Sequence, residues 1–236
     1  MRVCLILLLS CLTNVLIAQV VGGVQSKGMD MNAQAYGFVK EIRAEPKEIK
    51  GNLYLNQDWM IGQVKFINNV TIQDKAIRYN IKSNSFEIKL DGVVKGIDGR
   101  NVLGFEVMNR TSLEKESYVV ASKYKLNDVE LTGFLQILSS NGEYNLFSKT
   151  HVELVQGMYV AALDMGEDED AYVKKVKYYI GKNGKLMDFS ANRKKFAKLF
   201  PGKENEILEF IKSESISLKD GNDLISIIEF INRLNV

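Results

Sequence analysis

The chain has 236 residues, with 31 Lys plus Arg against 29 Asp plus Glu and a single histidine. So even a charge balance exerts no long-range pull on a polyanion, which excludes nucleic acid as a partner. One imidazole excludes a histidine-built metal site, while the length suffices for one or two domains held by their own cores.

The first element is a targeting segment. Arg2 precedes an apolar run from Val3 to Leu9, and small Ala18 stands before polar Gln19. A basic start, a short apolar stretch and a small residue at the cut predict a cleaved secretory signal over residues 1–18. The run is broken by Ser10, Thr13 and Asn14, and it falls short of the ~20 apolar residues that a bilayer span requires. No later window is longer, so no transmembrane span is expected in the mature chain. Removing 18 of the 236 residues leaves 218, without Cys4 or Cys11. Disulfides, a thiolate nucleophile and cysteine-bound metal are then all out of reach. The competing reading is a lipobox, Leu8-Leu9-Ser10-Cys11, with Cys11 lipidated. Either way the protein is exported: periplasmic, secreted or outer-membrane-associated.

Residues 19–51 read as a flexible, glycine-rich leader or linker, in which Asn32 to Ile42 forms either a short helix or an edge strand. From 52 to 186 the period is two. Ile77, Tyr79 and Ile81 alternate with Arg78, Asn80 and Lys82; Phe86, Ile88 and Leu90 alternate with Glu87 and Lys89. Val176, Tyr178 and Ile180 alternate with Lys175, Lys177 and Tyr179. Each run predicts a strand with one apolar and one wet face. Asp91-Gly92, Asp98-Gly99, Asn141-Gly142 and Asn183-Gly184 predict hairpin turns, because these residues tolerate positive φ. Phe134 to Leu138 is apolar on both sides and predicts a covered central strand.

From 187 to 236 the period becomes helical. Ser190 is placed to cap a helix carrying Phe196, Leu199 and Phe200, which stops at Pro201-Gly202. A second helix presents Ile207, Leu208, Phe210 and Ile211. A third, capped by Asp220, presents Leu224, Ile227, Ile228 and Ile231. These stripes must pack on one another or on the sheet. The expected class is α+β: an antiparallel meander, sandwich or partly open barrel followed by a small helical segment. An outer-membrane barrel does not fit, because one face of the strands carries Arg, Lys and Glu.

Chemistry-bearing constellations are few. His151 alternates with Val152 and predicts a half-exposed strand residue rather than a relay base. The acidic run Glu167-Asp168-Glu169-Asp170 follows Asp164. It predicts a solvated loop, with weak calcium binding by Asp164, Asp168 and Asp170 as the alternative. Arg193, Lys194, Lys195 and Lys198 form a basic strip beside an apolar helix face. It is the wet side of a packed helix or, alternatively, a contact for an anionic surface. Among the aromatic residues Trp59 is the best candidate anchor. No phosphate-cradling loop or nucleophile elbow occurs and no cofactor is expected.

Two stretches carry a resemblance. Tyr54-Leu55-Asn56-Gln57-Asp58-Trp59 leads to Gly62-Gln63-Val64, with Arg78-Tyr79-Asn80 and Glu87-Ile88-Lys89 beyond. Tyr178-Tyr179 and Lys182-Asn183-Gly184 then lead into a tail that closes on Phe230-Ile231-Asn232. The pattern resembles uncharacterised exported proteins of Bacteroidota with a β-rich body and a helical C-terminus, from about Gly51 onward. It implies an extracytoplasmic bacterial setting and brings no catalytic residue. The expected function is a non-enzymatic binding or structural one, with an envelope protein, glycan or lipid as partner. The alternatives are a carrier of lipid or another apolar ligand, and a hydrolase working with carboxylates alone.

Overall fold

The structure, a computed structural model, describes residues 39–40, 50–110, 112–160, 165–167 and 169–234. The chain separates into two compact units, Met1–Asp30 and Met31–Val236. The first lies outside the described residues, and with it the expected signal, Ala18 and Cys11. Everything below concerns the second.

Its strands are β1 (Val39–Lys40), β2 (Lys50–Gly51), β3 (Met60–Phe66), β4 (Thr71–Asn80), β5 (Ser85–Leu90), β6 (Val93–Asp98), β7 (Val102–Met108) and β8 (Lys115–Val120). They continue as β9 (Lys125–Leu126), β10 (Val129–Glu130), β11 (Phe134–Ser139), β12 (Asn145–Val155), β13 (Met158–Val160), β14 (Met165–Glu167), β15 (Ala171–Lys182) and β16 (Lys185–Met187). Three helices close the chain: α1 (Arg193–Ala197), α2 (Glu204–Ser213) and α3 (Gly221–Leu234). The α+β expectation holds. The main sheet runs β1-β6-β5-β4-β3-β7-β8-β11-β12-β15-β16-β9-β10, an open path, with β2 added beside β15 and β13-β14 paired apart. Two contacts, β2 with β15 and β16 with β9, are parallel, so the sheet is mixed. Of the stretch expected as a short helix or an edge strand, the described part is β1, an edge strand on β6.

Turn chemistry explains most of the meander. Asp91-Gly92 (φ 50° and 79°) joins β5 to β6, and Asn183-Gly184 (φ 51° and 74°) joins β15 to β16. Both pairs sit in the left-handed region that two-residue hairpins need. Asp98-Gly99 behaves differently. Asp98 accepts from the Arg100 N–H and starts a short 3-10 turn that leads into β7 instead of reversing the chain as a hairpin. Asn141-Gly142 does lie between β11 and β12, but neither residue takes positive φ. Asn127 and Asp128, both left-handed, make the β9–β10 turn without a glycine.

Strand register separates two cores. Val64, Phe105, Tyr118, Gln136, Ser148 and Tyr178 stand side by side on one face. On that face Tyr79, Phe86, Phe105 and Phe134 pack ring on ring, with Phe134 5.2 Å from Tyr79, 5.4 Å from Phe86 and 5.2 Å from Phe105. Strands β3, β7 and β8 separate β4 from β11 in the sheet, so this contact means that the first half curls over that face. In the second half the opposite face is also filled, by Leu135, Phe147, Tyr179 and Leu186 with Tyr124 and Leu126 beside them. Strand β11 is therefore covered on both sides, Phe134 facing one core and Leu135 the other, as its doubly apolar sequence requires.

The helices cover the first face of the second half. Phe196, Phe200, Ile207, Ile211, Leu224, Ile227, Ile228 and Ile231 share one buried cluster with Tyr144, Leu146 and Ile180 of the sheet. The tail thus packs on itself and on the sheet at once. Alternation fails at β15 for this reason. Tyr178 meets the helical cluster on one face while Tyr179 is buried in the other core, and Val176, on the nominally apolar side, is 52% exposed.

Capping fixes the helix ends. Asn192, not Ser190, caps α1, its side chain accepting from the Lys195 N–H at 3.0 Å, while the Ser190 hydroxyl accepts from the Asn192 N–H. Asp220 accepts from the N–H groups of Asn222 and Asp223 at the start of α3. Near its other end Asn232 reaches the sheet: its Oδ1 accepts from the Tyr144 N–H at 2.9 Å and its Nδ2 donates to the Tyr144 C=O at 2.8 Å.

Candidate functional site

Trp59 precedes β3 and folds back over the outer face of β4 and β5. Arg78 lies over both the Tyr54 ring (4.3 Å) and the Trp59 ring (4.4 Å), and Lys89 also sits 4.4 Å from the Trp59 centroid. The Tyr54 hydroxyl donates to Glu87 Oε1 at 2.5 Å, and the Arg78 guanidinium pairs with Glu87 Oε2. Burial, followed by the bond to Glu87, pushes the Tyr54 phenol up to about 12. Trp59 is therefore a half-buried clasp whose ring is engaged by two cations, and Glu87 is a buried carboxylate already held by a charge partner and a hydroxyl.

The other expected sites are exposed, engaged within the fold or outside the described residues. Arg193, Lys194 and Lys195 on α1 and Lys198 just after it are exposed, while Phe196 and Ala197 are buried in the core. Asp164 and Asp168 lie outside the described residues, and Asp170 Oδ1 accepts from the Gly157 N–H at 3.0 Å. Among the described residues no three His, Cys, Asp or Glu side chains gather as a metal site would require. His151 is half-exposed, its Nε2 2.9 Å from Glu153 Oε1. In the curled half the four packed rings fill the interior, and a void of about 10 Å³ remains beside Met60, Ile77, Tyr79 and Phe105. That is about the space of one water, which needs ~10–15 Å³.

What stands out instead is the β12–β15 ribbon. The two strands pair at every position from Asn145↔Gly181 to Val155↔Ala171. Its inner end is core: Leu146, Phe147, Tyr179 and Ile180 are buried. Beyond Lys149 and its cross-strand neighbour Lys177 the covering ends. Leu154, Val155, Val173 and Val176 are exposed apolar side chains on both faces of this outer half. Lys174, Lys175 and Lys177 interrupt them, and all three are exposed.

Charge on the ribbon is only partly compensated. Lys175 pairs with Glu153 at 2.5 Å and Lys177 with Asp188 at 2.8 Å. Hydrogen bonds from Lys175 and His151 hold the Glu153 carboxyl below its ordinary range, and the bond to Asp188 raises the Lys177 ammonium. Among the described residues Lys174 Nζ donates to the carbonyl oxygens of Tyr54 and Leu55, at 3.2 and 3.1 Å. The Lys149 amine is half-buried, has no hydrogen-bond or ion-pair partner among the described residues, and is pushed down by burial. The result is a β-ribbon that is aliphatic, cationic and solvent-facing.

Sequence reasoning missed this surface because it read Val176 as part of a buried stripe. The available signal was the length of the run: Ala171 to Lys182 is long for a strand, and its outer half spaces valines between lysines. Comparison of the chain with family models, with curated proteins and with solved structures gives no match. No helix among the described residues is long and apolar enough to cross a membrane.

Proposed function

We propose that this chain is an extracytoplasmic, non-enzymatic binding protein whose contact surface is the outer half of the β12–β15 ribbon. The observation that carries the reading is the exposed quartet Leu154, Val155, Val173 and Val176 on strands whose inner ends carry the buried Leu146, Phe147, Tyr179 and Ile180. Exposed aliphatic residues gathered on one element, with polar neighbours, are a usual mark of a surface that another molecule covers. The export signal read over residues 1–18 supplies the compartment.

The test is native mass spectrometry of the protein purified from its own envelope, as wild type and as the Val173→Glu, Val176→Glu double variant. A bound species of defined mass, present on the wild type and lost from a folded double variant, supports the reading. The reading is overturned if the wild type comes out bare or both forms carry the same species. The same spectra report the N-terminus: a chain starting at Gln19 fits a cleaved signal, whereas a diacylglyceryl group on Cys11 replaces it with the lipidated form.

A further inference from the structure

Resting on that reading, one feature of β15 defines the chemistry of the partner. Strand β12 occupies one edge of β15 along its length. The other edge is paired only at its ends, by β2 at Ala171 and Tyr172, beyond which Tyr54 and Leu55 take the Lys174 ammonium, and by β16 from Ile180 to Lys182. Among the described residues nothing pairs with that edge from Val173 to Tyr179. The Asp170 C=O accepts from the Lys50 N–H on this edge at 3.2 Å. Main-chain groups alternate in direction along a strand, so the N–H and C=O groups of Lys174, Val176 and Tyr178 also point outward. A gap of this length, about 20 Å at ~3.3 Å per residue, matches a short added strand.

The side chains bordering the gap select what fills it. Lys174, Lys175 and Lys177 border it, with Lys149 across the ribbon, against Glu153 and Asp188. A second copy of the same strand would set lysine against lysine, which is the usual protection of an open edge. A strand bearing carboxylates meets the opposite condition: its backbone completes the ladder while its acidic side chains meet the lysines. The geometry points to docking by β-augmentation: an extended, acidic peptide segment of a partner protein adds to the β15 edge between β2 and β16, its apolar residues over Val176 on one face and its carboxylates over Lys175 and Lys177 on the other.

The test uses the full-length protein and a short synthetic peptide alternating glutamate and valine, followed by fluorescence anisotropy at low and moderate salt. Saturable binding is expected. Methylating alternate peptide amides should weaken it about tenfold, the effect of ~1.4 kcal/mol, because those amides then cannot enter the ladder. Val176→Pro removes one outward N–H at an edge position that tolerates proline and should weaken binding similarly. Lys175→Gln with Lys177→Gln, on the face that takes the glutamates, should also weaken it. Absent binding, equal binding of the methylated peptide, or equal binding of a lysine–valine peptide would overturn the inference. If the native partner is lost from the Val173→Glu, Val176→Glu variant while the acidic peptide fails to bind, only the augmentation inference falls. If the native partner is retained by that variant, the ribbon reading itself falls.

Discussion

Asn232 offers the sharpest test of how the tail is held. Its amide satisfies both main-chain groups of Tyr144, at 2.9 and 2.8 Å, across 88 residues of sequence and inside the protein. In effect the side chain imitates one rung of a β-ladder and ties α3 to the β11–β12 connection. Asn232→Ala leaves a buried N–H and a buried C=O without partners, each worth about 1–3 kcal/mol. The expected loss is therefore about 3 kcal/mol, a urea midpoint lower by about 1 M for a slope near 2–3 kcal/mol/M. Circular dichroism in urea measures it. A second variant separates this cause from general damage. A Cβ at Gly142 would collide with the Asn232 side chain, so Gly142→Ala should be costly alone and much cheaper in the Asn232→Ala background. Strict additivity of the two changes, or a single-variant loss below about 0.5 kcal/mol, would refute the clamp.

Three further outcomes follow from the packing and the titrating groups. Phe134→Ala opens the centre of the ring cluster and should cost about 3–5 kcal/mol, read as a lower melting midpoint together with loss of near-ultraviolet dichroism. Tyr54, raised to about 12 from an ordinary 10, contributes stability that is fully present below pH 10 and lost as pH rises through 12; ultraviolet titration should show this late phenol, and Glu87→Gln should bring it earlier. The depressed Lys149 amine has the opposite sign: the unfolded chain holds that proton more tightly, so stability rises with pH toward 10.5. Lys149→Met should accordingly raise the melting midpoint at pH 7, with the gain shrinking by pH 10; a gain independent of pH would mean that burial of the charge is not the cause.

Much of the architecture was legible because it is local. Asp91-Gly92 and Asn183-Gly184 make their hairpins through residues that accept positive φ. Asp220 caps α3 and the stripe Leu224, Ile227, Ile228 and Ile231 is buried. Other features were not, because they depend on what packs opposite. Ser190 and Asn192 are both competent caps, and only the path of the chain out of β16 chose Asn192. Glu87 reads as the wet side of a strand, yet it is buried, because the segment from Tyr54 to Trp59 folds back over it and adds the Tyr54 hydroxyl to the Arg78 that β4 already sets opposite.

By itself the sequence determined the elements: alternation made strands, spacings of three and four made helices, and the doubly apolar Phe134–Leu138 run demanded a covered strand. The expectation of an export signal likewise rests on residues that need no tertiary partner to be read. The tertiary structure alone decided which face of each strand was covered and where the covering stopped. The helices on Leu146 and Ile180 and, on the opposite face, the core of Leu135, Phe147 and Leu186 around Tyr179 cover the inner half of β15. Valine at 173 and 176 is chemically the same as a core valine; it is exposed only because no other described part of the fold covers it.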